Sequence, residues 1–273
     1  MKPLYFLPFS ALALVAAVAA FEACSSSSDG GAPATTDQDG STSSDTGSGP
    51  SGPVQCGPPP YVTLGLVVEA ASNADGGPPR IGGAVLTSPL CPDASFTSDA
   101  DGGITGLVTQ NVPFYGRFNA PGYAPTLSPQ EQFTMDMPAI AIALPPSLLT
   151  AIVPNYDKTK TIILIDARKD TGTNHDGGAS CNDVSGVSFS VDGHPEGQIT
   201  YYTADSIPAP IANGTATSEG GIVTITGIDV SASPVGITGT KSGCTVSFLE
   251  GAATGKIPLE DAYVSIAAAY LRN

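Results

Sequence analysis

From about Cys56 onward, apolar residues come only in short runs, each cut off by Gly, Pro, Asp or Asn. Thirty-two glycines and 25 prolines in 273 residues leave little room for helices of ordinary length, because a helix interior tolerates those two residues least. What remains has strand character. Tyr61 to Val68, Ile81 to Leu86, Ala139 to Leu144, Thr161 to Ile165, Val187 to Val191, Ile222 to Thr226 and Val264 to Leu271 are short and bounded by turn residues. Pro145 to Val153 is the one short helical candidate, with proline at its start. The pattern predicts an all-β sandwich architecture.

An internal repeat divides the folded part in two. In the first half Gly83-Ala-Val85 is followed by Thr97-Ser-Asp-Ala-Asp-Gly-Gly-Ile-Thr-Gly-Leu-Val108, then by Tyr115-Gly-Arg-Phe and Ala120-Pro-Gly-Tyr-Ala-Pro125. In the second, Gly186-Val-Ser188 leads to Ala216-Thr-Ser-Glu-Gly-Gly-Ile-Val-Thr-Ile-Thr-Gly-Ile228 and to Lys241-Ser-Gly-Cys-Thr-Val246. Each half closes on an alternating segment, from Met135 and from Leu259. The last could be taken alone for a helix through Leu259, Tyr263, Ile266 and Tyr270, but its match to the first half favours a strand. Asp-Gly and Glu-Gly-Gly sit between strand-like runs, where a hairpin turn requires positive φ; Gly122 and Gly243 suit a second tight turn.

The residues Gly83, Val85, Thr97, Asp99, Gly102, Gly122, Tyr123 and Pro125 resemble the pattern of the carboxypeptidase regulatory-like domain. That resemblance covers roughly residues 60–144 and implies two tandem Greek-key, transthyretin-like β-sandwiches, the second reached mainly through the internal repeat. The expected organisation is residues 56–153 and 154–273 as the two sandwiches. The family's name comes from an accessory domain beside a peptidase, and nothing catalytic carries over with it.

The N-terminus has a different texture. One early lysine, Lys2, precedes a mostly apolar stretch from Leu4 to Ala20, then Ala23 and Cys24, then a run of Ser, Gly, Thr, Asp and Pro. This order resembles a bacterial lipoprotein, with residues 1–23 as signal peptide and Cys24 lipidated as the first mature residue. Phe21 and Glu22 depart from the family's usual box, and a cut near Ala20 would instead release a soluble secreted protein. Residues 24–55 hold almost nothing that could enter a core, so a disordered spacer is expected, with ends on the order of 30 Å apart. The implied location is the cell envelope, on the outer-membrane or periplasmic side.

Five cysteines are an odd number for an exported chain. With Cys24 lipidated, Cys56, Cys91, Cys181 and Cys244 remain for two disulfides in an oxidising compartment. Three pairings are open; proximity within each half favours Cys56–Cys91 and Cys181–Cys244.

No catalytic motif stands out, and no cofactor is expected. His175 and His194 sit in Asp/Gly-rich loops that read as solvated turns. Asp99 and Asp101 faintly resemble a calcium loop but lack the further oxygen ligands one needs. A weak surface calcium candidate is the acidic stretch Asp166, Asp170, Asp176 and Asp183. The net charge of −15 argues against nucleic acid, which needs a positive surface. Expected partners are the membrane, through the lipid, and an envelope protein or polysaccharide. The leading reading is a non-catalytic envelope protein with a structural, adhesive or accessory-binding role; a carbohydrate-binding surface is the rival reading and an unrecognised hydrolase a third. The carbohydrate reading rests on Tyr201 and Tyr202, adjacent in a strand so that one ring should face outward, and on Tyr115.

Overall fold

The computed structural model describes residues 53–71, 78–153, 160–169, 181, 183–205, 208–248 and 254–272. The signal segment, Cys24, most of the spacer, Asp170, His175 and Asp176 lie outside the described residues.

The first half runs through β1 (Gln55–Cys56), β2 (Tyr61–Ala70), β3 (Val85–Ser88), β4 (Cys91–Thr97), β5 (Gly103–Thr109), β6 (Pro113–Phe114), β7 (Arg117–Asn119), β8 (Thr126–Leu127), β9 (Glu131–Gln132) and β10 (Met137–Ala143). Among the described residues one short α-helix, α1 (Pro146–Ile152), begins on proline as its sequence predicts. The second half comprises β11 (Ile162–Lys169), β12 (Ser188–Val191), β13 (Gln198–Tyr201), β14 (Ile222–Thr226), β15 (Val235–Thr240), β16 (Thr245–Ser247), β17 (Thr254–Ile257) and β18 (Val264–Arg272). The protein is all-β. β18 is a strand over its full length, which removes the helical alternative.

In the first half, β1, β5, β2 and β10 form a four-stranded sheet. β2 alternates without a break, so Val62, Leu64, Leu66 and Val68 all point inward, as a period of two requires. They pack with Leu86, Phe96 and Phe118 from β3, β4 and β7. In the second half, Ile163 and Ile165 of β11 and Val223 and Ile225 of β14 meet Ile237 of β15 and Ile257 of β17. Each such side chain contributes roughly 1.5–3 kcal/mol by leaving water.

The two halves share a sheet. β18 pairs in parallel with β8 through Val264 opposite Thr126 and Ser265 opposite Leu127. This pairing joins β13, β14, β11 and β18 to β8, β7, β3 and β4 in one nine-stranded sheet, with β16 added on β18. A third apolar cluster fills the seam: Ala71, Ala124 and Leu144 from the first half, Leu149 of α1, and Ile162 and Val264 from the second.

The turns follow the expected chemistry. Gly102, Gly122, Gly221 and Gly243 all have positive φ, between 68° and 83°. Asp99 is a turn residue, its Oδ1 accepting from the Asp101 and Gly103 N–H groups at 2.9 and 2.7 Å. One expected strand begins late. Ile81 to Ala84 is drawn into a turn because the Ser98 hydroxyl donates to the Ile81 carbonyl and accepts from the Ala84 N–H, both at 2.8 Å; β3 starts only at Val85.

Candidate functional site

The tyrosine pair corrects the reading of its sequence. Tyr201 and Tyr202 are both buried, at 4% and 2% exposure, so neither ring offers a glycan platform. Alternation does hold: Tyr201 points into the second-half core, and its oxygen accepts the Phe189 N–H at 2.9 Å. Tyr202 takes the opposite face, but that face is not solvent. The end of α1 covers it, and the Tyr202 hydroxyl donates to the Ile152 carbonyl at 2.6 Å while lying 3.0 Å from Thr224 Oγ1. Burial pushes both phenols above their ordinary range.

Tyr115 is half-buried and belongs to the seam. Its hydroxyl donates to Glu260 Oε1 at 3.0 Å, and Arg117 Nε donates to Glu260 Oε2 at 2.5 Å. Beside them Asn119 Nδ2 donates to the Tyr263 oxygen at 3.3 Å. Glu260 and Tyr263 occupy the two ends of a turn closed by the Tyr263 N–H on the Glu260 carbonyl, with Ala262 at φ 68°. Burial and the Glu260 contact raise the Tyr115 phenol; the same carboxylate holds the Arg117 guanidinium charged. The Glu260 carboxylate thus bridges the two halves. Sequence reasoning passes over Arg117, Asn119, Glu260 and Tyr263 in this role, because partners more than 140 residues apart leave no local signal.

Of the calcium candidates, Asp166 and Asp183 are the two among the described residues. Asp166 lies on the β11 face opposite the core, where Arg168 donates to its Oδ2 through Nε at 2.8 Å and Nη2 at 2.5 Å. Burial pushes this carboxyl up, and Arg168 offsets part of the rise. Asp183 accepts from the Ser185 N–H at 2.8 Å and from the Ser185 hydroxyl, which lowers its carboxyl below the usual range. Both described carboxylates are thus engaged by other partners. Among the described residues no group of three or more His, Cys, Asp or Glu is placed to hold a metal ion. His194 Nδ1 is 2.8 Å from Glu196 Oε1 in the loop between β12 and β13, a local exposed pair.

A depression lined by Asp166, Thr203, Asp205, Pro208 and Gly220 encloses about 20 Å³, room for roughly one water molecule. The disulfides follow the favoured pairing: Cys56–Cys91 in the first half and Cys181–Cys244 in the second, with Cα atoms 5.2 and 5.6 Å apart. Two such bonds fit an oxidising compartment. No helix among the described residues is long and apolar enough to cross a membrane.

No protein-family model matches the chain, and no curated protein matches it. Among solved structures it is similar to the Bacillus anthracis TIE protein, at 10% identity and a TM-score of 0.22, over 77% of this chain and 34% of that one. The chain therefore spans about a third of that protein's length. It is also similar to the shaft pilin SpaA of Lactobacillus rhamnosus GG (11% identity, TM-score 0.22, 78% of this chain and 99% of that one). A third is GBS52, the minor pilin of Streptococcus agalactiae (12% identity, TM-score 0.24, 77% and 95%). At these TM-scores the likeness assigns no function.

Proposed function

We propose that the chain is a non-catalytic, exported cell-envelope protein held to a membrane by lipid on Cys24. Residues 1–23 serve as its signal and 24–55 as its spacer. Two transthyretin-like sandwiches, 56–153 and 154–273, form a body with a structural, adhesive or accessory-binding role. The observation that carries this reading is the seam. A shared sheet, an apolar cluster and the Tyr115–Arg117–Glu260 bridge hold two disulfide-closed halves in one geometry. A body built this way presents fixed surfaces at a distance from its anchor; catalysis instead calls for an enclosed cleft with converging groups. The glycan reading loses its main platform with Tyr201 and Tyr202 inside.

Expression of the full chain in a bacterial host with labelled palmitate tests the anchor. Label should appear on the protein in the membrane fraction and vanish in Cys24→Ser. A soluble, unlabelled product starting at Ala20 or Phe21 would refute it.

A further inference from the structure

Asparagine followed by glycine occurs once in the chain, at Asn213-Gly214, and the fold sets that pair at the tip of an exposed turn. The turn runs from Ile211 to Gly214 and is closed by the Gly214 N–H on the Ile211 carbonyl at 3.0 Å. Ala212, Asn213 and Thr215 are all exposed. Asn213 takes φ 54°, a left-handed conformation that asparagine tolerates better than most residues. The chain entering this turn forms a strap along the edge of β13. The Ile211 N–H donates to the Tyr201 carbonyl at 2.8 Å and the Thr203 N–H to the Ala209 carbonyl at 2.9 Å, with Tyr202 bridged to Pro210 between them. Ile211 packs on the second-half core. β13 is an end strand of the nine-stranded sheet, so the strap occupies backbone groups that would otherwise form an open edge.

Gly214 carries no Cβ, so nothing of its own shields its backbone nitrogen. Once base removes the amide proton, that nitrogen can attack Asn213 Cγ. A C–N bond forms there, the Cγ–Nδ2 bond breaks, and Nδ2 leaves with a proton as ammonia. Water then opens the five-membered succinimide to aspartate or isoaspartate. No electrons are transferred, and water is the only co-reactant. The turn bond to Ile211 must open first, which an exposed turn closed by a single hydrogen bond does at small cost. Two other exposed asparagines lack this arrangement. Asn111 precedes Val112, whose branched side chain crowds the next nitrogen. Asn119 precedes Ala120, and its Nδ2 donates to the Tyr263 oxygen at 3.3 Å. We propose that Asn213 is a site of spontaneous deamidation in the folded protein, and that isoaspartate there detaches the 209–211 strap from β13. Isoaspartate lengthens the main chain by a carbon, so the left-handed turn that follows Ile211 no longer closes as built.

The full chain is held folded in mildly alkaline buffer, and a second sample is held unfolded in urea. Peptide mass mapping follows each asparagine, and hydrogen exchange follows the Thr203 and Ile211 amides. In the folded chain Asn213 should convert well ahead of Asn111 and Asn119. The isoaspartate form, separated by chromatography, should exchange at Thr203 and Ile211 about twofold to tenfold faster, as loss of one hydrogen bond implies. Asn213→Gly keeps the positive φ without the side-chain amide, and its exchange at both positions should stay slow throughout. Asn213 that converts in urea but stays intact in the folded chain overturns the proposal. Conversion that leaves both amides as protected as in Asn213→Gly overturns the release of the strap, while the modification site stands.

Discussion

Replacing Gly106 by alanine places a methyl group where the Phe96 ring already lies. Gly106 is on the inward face of β5, and a Cβ built there falls 2.1 Å from Phe96 Cε1 and 2.4 Å from Cδ1. Phe96 is 2% exposed, closed in by Leu86 and Ile104 of the same core, so the ring has no free direction in which to swing. Either the ring is forced off its rotamer or the two sheets part, a cost of about 2–3 kcal/mol for overpacking of this kind. Each kcal/mol moves the melting temperature of a chain this size by about 2–4 °C, so a fall of roughly 5–10 °C is expected. Gly122→Ala is the matched control: its Cβ meets nothing within 4 Å, and only the positive φ of 83° is penalised, at about 1 kcal/mol. Urea unfolding followed by far-UV circular dichroism, with the disulfides intact, reads both. Phe96→Leu combined with Gly106→Ala should cost at least about 1 kcal/mol less than the two singles together, since they share one clash. Strict additivity, or a Gly106→Ala protein as stable as the parent, would show that the ring does not occupy that space.

Removing either disulfide should be costly: in the chain-entropy model, loops closed over 35 and 63 residues are each worth about 4 kcal/mol as an upper figure. Melting of Cys56→Ala/Cys91→Ala and Cys181→Ala/Cys244→Ala proteins checks this, and an unchanged midpoint in either would show that bond to be idle. The buried phenols predict alkaline instability. Folded Tyr201 and Tyr202 hold their protons more tightly than unfolded phenols with a pKa of 10.0, so stability should fall as pH rises above about 10. Tyr202→Phe should flatten that slope while lowering neutral stability by about 1–3 kcal/mol through the orphaned Ile152 carbonyl; an unaltered slope would count against the burial of this ring. Glu260→Ala strands Arg117 and Tyr115 at the seam. Because Arg117 is a third exposed, the loss should be only about 1 kcal/mol, and it should not add to that of Arg117→Ala.

What the sequence makes legible here is local. Alternation in Tyr61 to Ala70 and turn chemistry at Gly102, Gly122, Gly221 and Gly243 are written in neighbouring residues, so the strands and hairpins can be read directly. Ile81 to Ala84 misleads because the group that bends it, the Ser98 hydroxyl, lies far along the chain. Tyr202 misleads for a related reason: period two states which face a residue takes, not whether α1 lies over that face. The Glu260 bridge is invisible to any window short enough to scan, since its partners meet only after β8 and β18 pair.

The position of Cys56 bears on how a pull on the chain ahead of Pro53 would pass through the molecule. Tension applied at Pro53 would meet just two paired residues of β1 before it reached a covalent branch. At Cys56 one arm crosses the disulfide into β4 and the other continues through the prolines into β2, the longest strand of the first half. Load is thus divided between the two facing sheets at the first point where the chain is fastened, and neither sheet can be peeled from its edge while the other stands idle.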